Sequence, residues 1–551
     1  MSEKLAKFKF TPALGWGLGL AAALCCGVGL GYYWRVFYYF DRLSPVTLTL
    51  ALCALFTGVW AGALALSRVR DFDTKCALAI LLCGALFCFA NPPMQTPDEV
   101  NHYLRSYSIS QGHFDFDADR QYPEDVARLV QAFPGAWVSA HTSQTMGTDD
   151  DGNPRVYSSA GYGLKQWGEG GAVQSAADGF AAYFAADAEV QPLGEPIFFM
   201  LLPMLPQAAA MALARLAGGG ALACLYAARL ANLAGYAFWC WLALKNCRRY
   251  KPVFLAFMLL PLSLFMAASC SYDAMLLGCY YLVASFYCKD EITDRDVGLF
   301  LAAFTLMNVA KPYINLLWLA LPLILPRAAW KTRWKKWQLA LAAIAAAVAV
   351  TRFFEWYGVA FRYNYPDFGR VSEGADQIPQ LLFVLSNPLR YIAVMLGTLY
   401  ENGFFIGQLG VFGALDMPIE FLNLVCPAVL VFAAALSVHE RSSLRPLPAF
   451  GLGALSVVYI AGAMTALYIT WTPVGMVRII GLQARYFLPS FLMLLVLLAA
   501  LLSHVLEPRL KGDEAKPVKL ALAVCAAVAV VGAVLLAQHY FVGPVYLLPA
   551  A

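Results

Sequence analysis

Long apolar runs recur along this chain from about residue 13 almost to its C-terminus, and that recurrence constrains its fold more than any other feature. A backbone crossing lipid must satisfy its own N–H and C=O groups, which leaves helices or closed barrels. Runs of this length and continuity fit helices, which need ~20 apolar residues to span a bilayer. Composition agrees, with 60% hydrophobic and 13% charged residues, where a soluble chain carries roughly a quarter charged.

Candidate spans are 13–31, 45–66, 76–91, 219–243, 252–269, 274–288, 297–310, 313–326, 338–354, 418–436, 448–470, 486–503 and 519–537. Orientation follows the excess of Lys and Arg in cytoplasmic loops. With the N-terminus in the cytoplasm and alternating spans, every lysine except Lys165 and Lys311 falls inside, including Lys245, Lys251, Lys331, Lys335 and Lys336. This bias requires that two further apolar stretches, 196–217 and 389–412, interrupted by Pro, Gly and polar residues, do not cross. They are expected to be juxtamembrane or re-entrant helices covered by protein or lining a cavity. The basic N-terminus MSEKLAKFKF lacks a following small-x-small cleavage site and is expected to lead into an uncleaved first helix.

This topology places 92–195 outside, with 15 Asp and Glu against 5 Lys and Arg. Within it, PEDVARLVQAF reads as a helix, and Asp149–Asn153 as a turn without the downstream Glu of a calcium loop. None of the 14 cysteines lies in that segment, and no CxxC or Cys/His spacing suggests a zinc site. The cysteines sit mostly in apolar runs as small packing residues.

Four polar motifs reach the same outer level: PDEVNHYLR (97–105), SCSYDA (269–274), AKPY (310–313) and WTPVGMVRIIGLQARYFLP (471–489). They bring Asp98, Glu99, His102, Arg105, Asp273, Lys311, Arg478, Gln483 and Arg485 to one face. Ionisable groups at membrane level are costly to place and mark sites of work. A carboxylate can accept a proton from an acceptor hydroxyl, and Arg and Lys suit a phosphate. Each residue also has a plainer reading. Asp98 or Asp273 can cap a helix, His102 and Arg105 can be intrahelical partners, and Lys311 and Arg485 can snorkel to the interface. The coincidence of four motifs on one side favours a site for an anionic, lipid-anchored substrate.

The stretches PPMQTPDEVNHYLRSYSISQG, LYAARLANLAGYAFWCWLAL, ASCSYDAM, AKPY, FFIGQLGVFGALDMP and TPVGMVRIIGLQARYFLP give the chain, over about 76–505, a further meaning. Their order and spacing resemble a family of bacterial membrane proteins of unknown function with the architecture of GT-C glycosyltransferases. The resemblance implies an all-α polytopic membrane protein, a GT-C-like bundle of about 13 transmembrane helices with juxtamembrane helices and a large first extracytoplasmic loop. The expected segments are 1–75 (cytoplasmic N-terminus and two additional helices), 76–91 (the helix leading to the site), 92–218 (extracytoplasmic loop), 219–354 (central helices), 355–417 (second extracytoplasmic loop) and 418–551 (C-terminal helices).

The resemblance further implies an inverting membrane glycosyltransferase at the outer face of the bacterial inner membrane. Its donor would be a polyprenyl-phosphate sugar, and its acceptor a cell-surface glycan or a lipid-linked acceptor. Asp98 or Glu99 would be the catalytic base, with His102, Arg105, Asp273, Lys311, Arg478, Gln483 and Arg485 binding substrate or phosphate. No particular cofactor is implied, and a divalent cation, Mg or Mn, is left open. The partners are donor, acceptor and membrane lipids, not nucleic acid. The alternatives are a transporter or flippase for polyprenyl-linked glycans, which would spread charge through the spans, and a non-catalytic scaffold of the same architecture. Arg229 is the main charge inside a span.

Overall fold

The computed structural model describes residues 11–542 except 39, 41, 116, 118, 134–143, 149–153, 159–165, 168–171, 174–175, 186–188, 196–200, 248, 290, 312–313, 321–323, 326, 361–373, 414–416, 439–445 and 506–514. Helices α1 (Pro12–Phe37) and α2 (Pro45–Ser67) form a hairpin, each started by a hydroxyl cap, Thr11 or Ser44, followed by proline. Helix α3 (Phe72–Ala90) is capped by Asp71, whose carboxylate accepts the Thr74 N–H. Next come α4 (Glu99–Ser110), α5 (Glu124–Ala132), α6 (Ala176–Phe184) and α7 (Leu205–Leu216). The central and C-terminal helices are α8 (Ala221–Asn246), α9 (Lys251–Met258), α10 (Pro261–Ala267), α11 (Asp273–Phe286), α12 (Asp294–Ala310), α13 (Lys336–Ala360), α14 (Gln377–Ser386), α15 (Pro388–Glu401), α16 (Glu420–Leu436), α17 (Pro446–Thr470), α18 (Leu488–Val505) and α19 (Ala515–Ala537).

This is a mostly helical, multi-pass membrane protein. Among the described residues, α1, α2, α3, α8, α13, α17 and α19 contain helix long and apolar enough to cross a membrane. An eighth crossing results if α14 and α15, bent by 106°, count as one; otherwise they form a re-entrant loop. Helices α11, α16 and α18 are apolar but shorter. The dense core lies among α3, α8 to α12, α16, α18 and α19. Helices α1 and α2 sit outside it, with most of their surface uncovered by protein.

Two expected spans are not continuous α-helices. The stretch 252–269 is broken into α9 and α10, because Pro261 has no N–H to continue the first helix and instead starts the second. The stretch 313–326 contains 3-10 turns over Ile314–Leu319. There the Asn315 amide donates to the carbonyls of Met307 (2.9 Å) and Lys311 (2.7 Å), taking over acceptors at the end of α12.

Polar contacts separate the two ends of the bundle. At one end Lys251 pairs with Asp73 (2.6 Å), Lys289 with Asp296 (2.6 Å), and Ile292 bridges to Trp330. The Asn246 amide also donates to Ser285 Oγ (2.9 Å) there. The loops carrying the basic residues 245–251, 289 and 327–335 therefore meet at this end. The chain leaves it through α3 and arrives at the other end at Asn91, where α4 to α7 lie.

That second end is a small domain with its own apolar core of Val100, Tyr103, Leu104, Val126, Leu129 and Met211. Asp125 accepts the first N–H of α8, from Ala221 (2.8 Å), and Tyr103 donates its hydroxyl to the Ala221 carbonyl (3.0 Å). The expected helix at PEDVARLVQAF is α5. Within the expected juxtamembrane stretch 196–217, helix α7 is 12 residues long, and 196–200 lie outside the described residues. The hairpin β1 (Gln144–Thr148) with β2 (Pro154–Ser158) belongs to the same segment, and the turn expected at 149–153 lies outside the described residues.

Candidate functional site

The chain between α3 and α4 turns sharply, and the turn decides the fates of two neighbouring carboxylates. Met94 and Asp98 both adopt left-handed backbone conformations, with φ of 62°. Aspartate tolerates this region better than most side chains, but it is an uncommon and strained choice. Asp98 precedes α4 without capping it, since its side chain accepts no hydrogen bond from the first turn. Asp98 does stand where the helix starts, as its plainer reading has it. Its carboxylate is 61% exposed and lies 3.7 Å from Nη2 of Arg485.

Glu99, one residue on, is fully buried. Its two oxygens accept from Nε (2.8 Å) and Nη2 (2.7 Å) of Arg229 on α8, and Oε1 also accepts the Cys270 N–H (2.8 Å). Arg229 spends its remaining donors on the carbonyls of Cys88, Asn91 and Pro92 at the end of α3. This closed network ties α3, α4, α8 and the loop before α11 together. A lone arginine in an apolar span demands a counter-charge; that signal calls for a carboxylate partner without singling out Glu99.

Asp273 is the first residue of α11 and is buried. Its Oδ2 accepts from Arg485 Nη1 (2.8 Å), so it holds a cation and does not act as a cap. Arg485 sits in a 3-10 turn, Ala484–Tyr486, just before α18, and its guanidinium faces both Asp98 and Asp273. Lys311, at the end of α12, places its ammonium 3.9 Å from the centre of the Tyr486 ring and 5.9 Å from that of Tyr272. Among the described residues no carboxylate lies within ion-pair distance of it. The His102 ring lies 4.9 Å from that of Tyr272. Burial pushes the His102 imidazole below its ordinary value of 6.5, against the opposing pull of Asp98 and Asp273. It is therefore neutral at pH 7.

The four motifs thus converge: Asp98, His102, Asp273, Lys311 and Arg485 form one group. Three candidates stand apart from it. Arg105 is turned to the carbonyls of His113 (3.4 Å) and Phe114 (3.1 Å), where it shapes the loop after α4. Arg478 is half-exposed and pairs with Glu401 at the end of α15 (2.7 Å). Gln483 precedes the Arg485 turn, and its buried Oε1 has no hydrogen-bond partner among the described residues. Tyr272 and Tyr486 are members that sequence reasoning missed, although each directly neighbours a singled-out charge.

A second layer fixes the backbone of the group. Gln207 on α7 accepts from Ser106 (3.0 Å) and donates to the Ser271 carbonyl (3.0 Å). Asn232 on α8 donates to the carbonyls of Ser269 and Ser271, both at 2.7 Å. A small cleft of about 10 Å³, room for about one water, opens beside Arg485, lined by Pro97, Leu262, Phe265, Met266, Val411 and Ala484, with Gln408 as a further polar group.

The same residues test the fit of a divalent cation. Asp98 and Asp273 are the open carboxylates of the group, and both already face Arg485. Among the described residues no three His, Cys, Asp or Glu side chains are placed together to hold a metal ion. With Arg485 held between the two carboxylates, the site as it stands does not fit one.

A family model described as "Predicted membrane protein (DUF2142)" matches residues 81–496, which include the whole group. None of the curated proteins matches the chain, and no solved structure does.

Proposed function

Because the chain belongs to the DUF2142 family of predicted membrane proteins, whose description names no chemistry, we propose its function from the site together with the resemblance of its motifs to GT-C enzymes: a GT-C-type glycosyltransferase. It transfers a sugar from a polyprenyl-phosphate donor to a cell-surface glycan or glycolipid on the outer face of the bacterial inner membrane. In this reading the chain crosses thirteen times, with α9–α10 and the 3-10 stretch after Lys311 among the crossings. The basic loops lie in the cytoplasm.

One observation carries the proposal. Asp98 is an exposed carboxylate on a strained turn, held against an arginine that a buried aspartate anchors, beside an apolar cleft. Asp98 accepts the proton of the acceptor hydroxyl as its oxygen bonds to the anomeric carbon. The bond from that carbon to the phosphate oxygen breaks, and the phosphate leaves with the electron pair. Arg485 and Lys311 face the charge that develops there, which replaces protonation of the leaving group. Asp273 orients Arg485, and His102, neutral at pH 7, packs against Tyr272. Glu99 is unsuited to act as the base, because both of its oxygens are bound to Arg229.

The test is sugar transfer by the purified chain in lipid, offered a panel of polyprenyl-phosphate sugars, for the wild type and Asp98→Asn. The expected result is turnover of at least one donor, lost in Asp98→Asn. Donor that is bound but never consumed by the wild type, or full turnover by a folded Asp98→Asn, overturns the proposal.

A further inference from the structure

We infer that Arg485 takes the place of a divalent cation at this site, so that the protein's own guanidinium is the bridging cation between its two working carboxylates. The inference takes its chemical meaning from the transferase reading, but its test does not depend on that reading.

Asp98 and Asp273 arrive from separate elements, the turn before α4 and the start of α11. Two carboxylates brought together from such distant positions make the beginning of a magnesium or manganese site, whose oxygen ligands sit at about 2.0–2.1 Å. Here the space between them is filled by Arg485, at 2.8 Å from Asp273 and 3.7 Å from Asp98. Its Nη2 also lies 3.4 Å from the Tyr486 hydroxyl. The guanidinium is buried with its anchor, so a metal ion entering the gap would have to break a buried charge pair.

Charge counting points the same way. Asp98 and Asp273 are balanced by Arg485 and Lys311, with His102 neutral. A dication added to this group would leave a surplus of two positive charges at membrane level. Glu99, beside Asp98 in sequence, has both oxygens engaged by Arg229 and the Cys270 N–H. A guanidinium supplies what the metal would have supplied to a leaving phosphate: a fixed positive charge and N–H donors in a planar fork.

The experiment is manganese binding to the purified full-length chain in lipid, read by electron paramagnetic resonance, for the wild type, Asp98→Asn, Arg485→Gln and the Arg485→Gln/Asp98→Asn double variant. The wild type is expected to bind no more Mn²⁺ than Asp98→Asn. Arg485→Gln is expected to gain about one equivalent, an octahedral ion needing both carboxylates, and the double variant to lose it again. Wild-type chain that binds a manganese ion absent from Asp98→Asn overturns the inference. So does folded Arg485→Gln that gains none. Where Arg485→Gln does not fold, Arg485→Met takes its place, and the wild-type comparison needs no arginine variant at all. A wild type that binds an Asp98-dependent ion and also transfers sugar sinks this inference alone. One that binds none and transfers nothing sinks only the transferase reading.

Discussion

Asp98 and Glu99 are neighbours in sequence, and each faces an arginine far along the chain, yet the two pairs are opposites. Glu99 and Arg229 are both fully buried, joined by two bonds, with the remaining donors of the arginine spent on backbone carbonyls. Asp98 and Arg485 meet at one loose contact of 3.7 Å, with the carboxylate mostly exposed. A saturated pair holds structure together because nothing else can bind to it. An unsaturated pair at a cleft can exchange partners, and exchange is what a reaction needs.

Four measurements can break or sharpen this contrast. The largest expected effect is on the open pair. Asp98→Asn should lower sugar transfer by about 10²–10⁴-fold, the usual contribution of a positioned base, while leaving the unfolding midpoint in detergent near that of the wild type. If Asp98→Asn instead unfolds readily and keeps its transfer rate, the two carboxylates have been assigned the wrong way round.

On the closed pair, Arg229→Met leaves Glu99 buried without its partner, and should cost about 3–5 kcal/mol of stability. Adding Glu99→Gln should recover part of that loss. Equal stability of all three chains in a denaturant titration would mean that the pair carries no structural load.

A smaller effect is expected from His102. Its folded value lies below the ordinary 6.5, so the unfolded chain takes up a proton first as the pH falls. The stability this imidazole contributes is complete above about pH 6.5 and declines below it, by up to about 1.4 kcal/mol per pH unit until the folded value is reached. His102→Gln should flatten that part of the stability profile between pH 7 and 5. An unchanged slope would place the sensitivity elsewhere.

The smallest effect is expected at Arg478→Ala. It removes a half-exposed ion pair with Glu401 and should alter stability by no more than about 1 kcal/mol, with transfer little affected. A large loss of transfer would bring Arg478 back among the residues that bind the phosphate.

The convergence of the four motifs was legible in the sequence because lysine bias fixes the sidedness of loops, and sidedness alone puts Asp98, Asp273, Lys311 and Arg485 at one level. The division of labour between Asp98 and Glu99 was not legible. It depends on a left-handed turn at Asp98 that no residue pattern announces, and on a pairing of Glu99 with Arg229 across 130 positions. Arg105 and Arg478 looked equivalent to Arg485 by type and level. What separates them is the nearest acceptor, a loop carbonyl for one and Glu401 for the other. The breaks at Pro261 and Asn315 were hidden for a simpler reason: hydropathy reports how apolar a stretch is and says nothing of where its backbone hydrogen bonds go.

The Glu99–Arg229 network also bears on how the chain enters the membrane. An ionisable side chain in a membrane helix is costly to insert; Arg229 lies in the first half of α8 beside the end of α3, and α8 shares the lowest mean hydropathy, 1.2, among the long apolar helices. Its counter-charge and the carbonyls that receive it belong to residues 88–99, synthesised well before it. Residue 229 is therefore synthesised after every group that pairs with it, and the closed network is completed only when α8 joins the earlier part of the chain.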